Sequence, residues 1–186
     1  PITLKRASDM IAKAGKRDAK VFTGNDLAYK TMLEDKNLDA VIISTPWEWH
    51  TPMSLDAMNA GKAVGCEVAG AMSLDECWQL VRTHERTQTP FMILENVCYR
   101  RDVMAILNMT RQELFGEMIH LEGGYQHDLR EVKFNDGVKY YGGGVEFGDK
   151  GYSEARWRTT HSVHRNGDLY PTHGIGPIGS YINNNR

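Results

Sequence analysis

The chain has 186 residues, 41% hydrophobic and 25% charged, a composition that suits one full globular core with part of a second and excludes disordered or collagen-like classes. Its 22 Lys and Arg against 24 Asp and Glu leave a formal net charge of −2. Neither sign forms a run that would grip a nucleic acid or an anionic membrane, so a small molecule is the expected partner. No stretch reaches the roughly 20 apolar residues of a membrane span, and Pro1 to Gly15 lacks the charged-then-apolar order of a signal peptide.

In chain order, Leu4, Ala7, Met10, Ile11 and Ala14 recur at helical spacing, and Gly15 suits the position just past a helix end. A short apolar piece, Ala19 to Phe22, precedes Asn25-Asp26, which would open a second helix through Met32 and Leu33 and begin a strand–helix alternation. Asp39 to Thr45 is short, β-branched and almost wholly apolar, the pattern of a strand buried on both faces of a parallel sheet, and it ends at Pro46. Thr51-Pro52 starts a helix that Gly61 stops, and Ala63 to Cys66 is the next strand. Ser73 and Glu76 have capping-box spacing for a helix through Cys77, Leu80 and Val81 to about Gln88, and Pro90 to Leu94 follows as a strand. Three successive βα units predict an α/β fold with a doubly wound parallel sheet.

The texture changes after Asn96. Asp102 to Leu114 reads as a helix and Gly116 to Gly123 as a strand, whereas Gln126 to Asn166 is rich in Gly, Asp, His, Tyr and Arg with little periodicity, as ligand-holding loops are. Residues 1–100 are therefore expected to form a nucleotide-type half, and 101–186 an α+β substrate-type half.

In open α/β sheets ligands lie beyond the carboxyl ends of the strands. Three clusters fall there: Thr45-Pro46-Trp47-Glu48-Trp49-His50, Glu67-Val68-Ala69-Gly70 and Glu95-Asn96-Val97-Cys98-Tyr99-Arg100. Trp47 and Trp49 could stack on a planar ring or simply pack beneath a loop. Gly123 to Arg130, GGYQHDLR, carries Tyr125 and His127, which suit general acid–base work, or else a hydrogen-bonded strand end with a solvated loop. Arg165 to Gly174 has an Asn-Gly turn and then a helix start, which puts His173 at a helix N-terminus, where the neutral imidazole is favoured. Asp128 and Asp168 could imitate a glycosidase carboxylate pair, but sequence does not give their separation. His84, His120 and His161 have no HExxH-like spacing, and Cys66, Cys77 and Cys98 have no CxxC spacing, so neither metal nor a disulfide framework is expected. The cysteines read as buried small hydrophobes.

STPWEWH, Glu67 with its following helix, and ENVCYRR resemble the nicotinamide-binding half of the glucose–fructose oxidoreductase/inositol dehydrogenase (Gfo/Idh/MocA) superfamily. GGYQHDLR, EARWR and NGDLYPTHG narrow the resemblance to its glycoside hydrolase family 109 branch, whose activity is α-N-acetylgalactosaminidase. Two departures accompany it. Dehydrogenases of the superfamily carry Glu-Lys-Pro where this chain has Glu67-Val68-Ala69, which agrees with the hydrolase branch. No GxGxxG loop precedes Ile2, so the first βαβ unit of the Rossmann-like sheet is expected to be absent from this chain, as is the rest of the substrate sheet after Arg186. Without that loop the chain by itself is expected to hold the dinucleotide weakly.

The resemblance implies that Trp47, Glu48, Trp49, His50, Glu67, Val68 and Asn96 line NAD, and that Tyr125, Arg158, Tyr170, Pro171, Thr172 and His173 contact a sugar. It implies a redox-neutral glycosidase with Tyr125 as base at sugar C2 and His173 handling the C3 hydroxyl proton. His127 and Glu95 would act as supporting proton-transfer or orienting groups. The alternative is an NAD(P)-dependent sugar or polyol dehydrogenase, and a third reading is a non-catalytic binding module. The partner implied is a small glycoside, with neither nucleic acid nor membrane, and self-assembly into a homo-oligomer is compatible with it. The branch is bacterial, and any export signal would lie upstream of Pro1.

Overall fold

A computed structural model describes residues 2–129, 133, 153–169 and 171–182. Contacts gather the chain into two compact units, Pro1–Asp39 and Ala40–Arg186.

The first unit contains α1 (Ile2–Lys13) and α2 (Ala28–Leu33). Asn25 acts two residues ahead of the N-cap position of α2: its side-chain oxygen accepts from the Leu27 backbone N–H at 2.8 Å, an Asx turn that aims the chain into the helix. Ala19 to Phe22 forms no strand. Among the described residues its apolar side chains have no ladder partner, and apolar character alone cannot make a strand without one.

The second unit is built on β1 (Ala40–Ile43), β2 (Ala63–Cys66) and β3 (Phe91–Ile93), parallel and in the order β1-β2-β3. Ile43 pairs with Cys66, and Cys66 in turn with Ile93, so all three strands end together. The crossovers are α3 (His50–Asn59) and α4 (Leu74–Thr87). Gly61, at φ +72°, takes the left-handed turn between α3 and β2. Ser73 caps α4 by accepting from the Glu76 N–H at 3.2 Å, and the Glu76 carboxylate reaches back to the Met72 N–H, one residue beyond the capping-box partner.

The core of this unit lies between the sheet and α3, where Val41, Ile43, Val64, Cys66, Ala57 and Met58 are buried. β1 is thus buried on alternate residues, not on both faces as its apolar run suggests, and Ile42 is 77% exposed. Among the described residues, α3 packs against the buried positions of the sheet. α4 likewise buries Leu80 and Thr83 and leaves Cys77, Trp78 and Val81 on its solvent side, which corrects the expectation that all three cysteines are buried. The three thiols are free.

Beyond the sheet come α5 (Arg101–Arg111), α6 (Ser153–Val163) and α7 (Pro171–Tyr181). Residues 116–123 are not a strand. No described segment offers them a ladder, and Ile119 stands open to solvent. Among the described residues no helix is long and apolar enough to cross a membrane, and no group of three or more His, Cys, Asp or Glu is placed to hold a metal.

Candidate active site

The aligned strand ends present Thr45, Glu67 and Glu95 in adjacent turns. After β1 the chain makes one 3-10 turn, Trp47–Trp49, and runs directly into α3. Pro46, in an extended conformation, ends the strand and aims the turn back over the sheet. That turn grips the loop after β2 through three consecutive carbonyls. Trp47 Nε1 donates to Val68 O at 2.9 Å, His50 Nδ1 meets Ala69 O at 2.7 Å, and Thr51 Oγ1 donates to Gly70 O at 3.3 Å. His50 Nε2 meets Thr45 O at 2.8 Å, so one ring ties both turns together while only 1% exposed. Trp47 Nε1 and His50 Nδ1 are therefore engaged by this loop, while His50 Nε2 is held within its own turn. Glu48 and Asn96 are exposed at the same strand ends, and Trp49, Glu67 and Val68 are half-buried there.

Glu95 opens the 3-10 turn Asn96–Tyr99 after β3, and its Oε1 accepts from the Val97 N–H at 3.0 Å. The same oxygen accepts from His173 Nδ1 at 2.6 Å, with the two side chains 11% and 9% exposed. A carboxylate on Nδ1–H orients the imidazole and makes Nε2 its proton-accepting atom. The second oxygen, Oε2, is buried without a hydrogen-bond partner among the described residues, as is the Oγ1 of Thr172, the residue before His173. Two such atoms at a strand-end site are suited to a ligand's donors, since an unpaired buried polar atom costs about 1–3 kcal/mol.

Helix α7 starts at Pro171, whose fixed φ and missing N–H suit a first helical position, and this puts His173 in the first turn. The helix is poor by propensity, with Gly174, Gly176, Pro177 and Gly179 in its body, and close approach explains the choice. A Cβ on Gly123 would lie 2.8 Å from Gly174 O, so the two backbones touch, and this brings the next residue pair, Tyr125 and His173, together. Their rings meet edge to face with centroids 4.5 Å apart. The Tyr125 hydroxyl hydrogen-bonds His127 Nδ1 at 2.7 Å.

A second group forms where α6 meets the Trp47 turn. Trp157 and His161 stand edge-on to Trp47, with centroids 5.1 and 4.8 Å away, and the Arg158 guanidinium lies over both indoles, 5.3 Å from Trp47 and 4.6 Å from Trp157. Burial, then Arg165, Arg158 and Lys133, holds the His161 imidazole below its usual range, which keeps the ring neutral beside these cations.

Glu95, Tyr125, His127 and His173 thus come together, and Arg158 joins Trp47, a residue expected on the cofactor side. Pro171 is exposed at the start of α7, and Tyr170 lies outside the described residues. Sequence reading missed Thr51, Trp157, His161 and the Gly123–Gly174 contact. Only the glycine-rich run THGIGPIG signalled the last of these.

Parallel strands whose carboxyl ends carry the polar residues, with a helix after each of the first two, define a dinucleotide-type α/β protein. An NAD-binding protein from Listeria innocua shares this arrangement, with a TM-score of 0.51 and 28% identity over 69% of this chain and 36% of its own. A probable dehydrogenase from Thermotoga maritima, 20% identical, shares the fold at a TM-score of 0.50 over 60% of this chain and 32% of its own. The family described as "Oxidoreductase family, NAD-binding Rossmann fold" matches residues 2–94, and "Glycosyl hydrolase 109, C-terminal domain" matches residues 99–186. The chain belongs to that Rossmann-fold oxidoreductase family, and its residues 99–186 match the glycosyl hydrolase 109 C-terminal domain. A glycosyl hydrolase family 109 protein from Stenotrophomonas maltophilia is 60% identical over all of this chain and 42% of its own length. An alpha-N-acetylgalactosaminidase from Tannerella forsythia is 54% identical over 98% of this chain and 40% of its own. The chain spans about two fifths of the length of these curated relatives.

Proposed function

We propose that the whole protein is an NAD-dependent, redox-neutral glycosidase that removes terminal α-linked N-acetylgalactosamine. Residues 1–100 would serve as part of the dinucleotide half and 101–186 as the start of the sugar-binding half. The observation that carries this reading is the juxtaposition of two proton-handling side chains, His173 oriented by Glu95 and Tyr125 packed against the His173 ring. The name of the Tannerella forsythia relative supports the sugar. The absence of a lysine after Glu67 speaks against the ordinary dehydrogenase arrangement.

Trp47, Glu48, Trp49, His50, Glu67, Val68 and Asn96 would hold the dinucleotide at the strand ends, Trp47 and His50 by fixing the loop at residues 68–70. The buried, unpartnered Glu95 Oε2 fits a donor from the bound ligands. NAD+, when bound, supplies a hydride acceptor for sugar C3. His173 Nε2 takes the C3 hydroxyl proton, with Glu95 stabilising the imidazolium that forms. Oxidation at C3 acidifies the C2 hydrogen, which Tyr125 removes. The electrons left at C2 form a C1=C2 bond as the C1–oxygen bond breaks. Water then adds across C1 and C2 with Tyr125 returning a proton to C2, and as the C3 carbonyl regains the hydride that the cofactor would hold, His173 returns the proton to the C3 oxygen. Arg158, Tyr170, Pro171 and Thr172 would position the sugar.

Turnover of an aryl α-N-acetylgalactosaminide by the full-length enzyme in D2O tests the route. Deuterium at product C2 with no steady build-up of reduced nicotinamide is the expected result. An unlabelled product sinks the elimination, and net nicotinamide reduction with free sugar would instead identify a dehydrogenase.

A further inference from the structure

The four grouped side chains form two hydrogen-bonded pairs of opposite character. Glu95 and His173 are almost wholly buried, whereas Tyr125 is half-buried and His127 is open to water. The Tyr125 hydroxyl lies 2.7 Å from His127 Nδ1, and in the tautomer with the ring hydrogen on Nε2 the hydroxyl donates to Nδ1. We infer that His127 is the proton outlet of Tyr125, so that the C2 proton equilibrates with bulk water while the C3-oxygen proton stays within the buried pair. The inference rests on the glycosidase reading and adds a division of the site into a wet and a dry proton path.

The balance is simple. The Tyr125 O–H bond breaks and its proton moves to His127 Nδ1. Tyr125 oxygen then takes the C2 proton, and the C2–H electron pair becomes the C1=C2 bond as the aglycone oxygen departs with the C1–oxygen pair. The imidazolium releases its Nε2 proton to solvent and, through it, to the aglycone oxygen. Exchange of the exposed imidazole with water then empties Nδ1 and restores the Nε2 hydrogen, so Tyr125 passes the C2 proton on to Nδ1 in its turn, recovers a solvent-derived proton and returns that one to C2. Lacking this outlet, Tyr125 would give back the proton it took.

The test uses the full-length enzyme loaded with NAD, an aryl α-N-acetylgalactosaminide in D2O, and His127→Phe, His127→Asn and His127→Gly. His127 is exposed, so the substitutions leave the core intact, and calorimetry checks that NAD binding is unchanged. Wild-type product should be deuterated at C2. His127→Phe should turn over roughly 10²–10³-fold more slowly, the range for loss of a positioned proton-transfer group. Its product should keep protium at C2 within a single turnover. His127→Asn retains an acceptor for the Tyr125 hydroxyl but cannot carry a proton, so it should behave like His127→Phe, and added imidazole should restore both rate and label in His127→Gly. Wild-type rate and labelling in His127→Asn would reduce His127 to orienting Tyr125 and overturn the inference. So would full deuteration at C2 in His127→Phe. An unlabelled wild-type product removes the glycosidase reading itself, and a labelled wild type with unaffected variants removes the outlet alone.

Discussion

Gly176 faces the buried pair from within α7. A Cβ there would lie 2.9 Å from Cys98 Sγ and 3.0 Å from Glu95 Cγ. Two effects of Gly176→Ala compete. Alanine favours a helix by about 1 kcal/mol over glycine, and overpacking costs about 1–3 kcal/mol. Net destabilisation should therefore stay within about 2 kcal/mol by urea unfolding. The geometric effect should be larger, because the neighbour most easily displaced includes the stem of the carboxylate that orients His173. Turnover of the full-length enzyme should fall at least about tenfold, more than the stability change would suggest. Unchanged turnover in a folded variant would show that the 2.6 Å Glu95–His173 contact is not needed at that precision.

The turn from β1 into α3 works as one element, holding the loop after β2 through Trp47, His50 and Thr51, and its contacts differ in weight. His50 is buried and makes two contacts at 2.7 and 2.8 Å, whereas Thr51 contributes a single one at 3.3 Å. His50→Ala removes a buried ring that lies between two carbonyl acceptors and donates to at least one of them, and it opens a cavity, so about 2–4 kcal/mol should be lost. Thr51→Ala should lose about 1 kcal/mol. Equal denaturant midpoints for the two variants would contradict this ranking. None of these contacts was visible in the sequence, although two of their carriers, Trp47 and His50, were. Local signals served well where the physics is local: Ser73 and Glu76 fixed the start of α4, β2 fell on Ala63–Cys66 as read, and Pro171 set His173 in a first turn. The segments at residues 19–22 and 116–123 failed as strands because a strand is a property of a pair. Trp47 to Val68 and Glu95 to His173 join residues 21 and 78 positions apart, and such pairings have no periodicity to announce them.

At the scale of the molecule, Cys66 reports on the unit built around the sheet, since it ends the central strand and is fully buried. Burial pushes its thiol from 9.0 up to about 11, opposed by a hydrogen bond with Ser54 and assisted by the charge of Glu67. The sign follows from linkage. The unfolded chain loses this proton near the ordinary value and the folded one only near about 11, so the folded form binds it more tightly across that interval. The stability this contributes is complete below pH 9 and declines as pH rises toward about 11, at most by about 1.4 kcal/mol per pH unit. At pH 8 only about one native Cys66 in a thousand is thiolate, so alkylation should reach exposed Cys77 first and Cys66 only on unfolding. Cys66→Ala should be less stable at pH 8, because a buried sulfur is replaced by space, yet fall less steeply through the alkaline window. Parallel stability curves for variant and wild type between pH 9 and about 11 would mean that Cys66 ionises no later in the folded sheet than in the open chain.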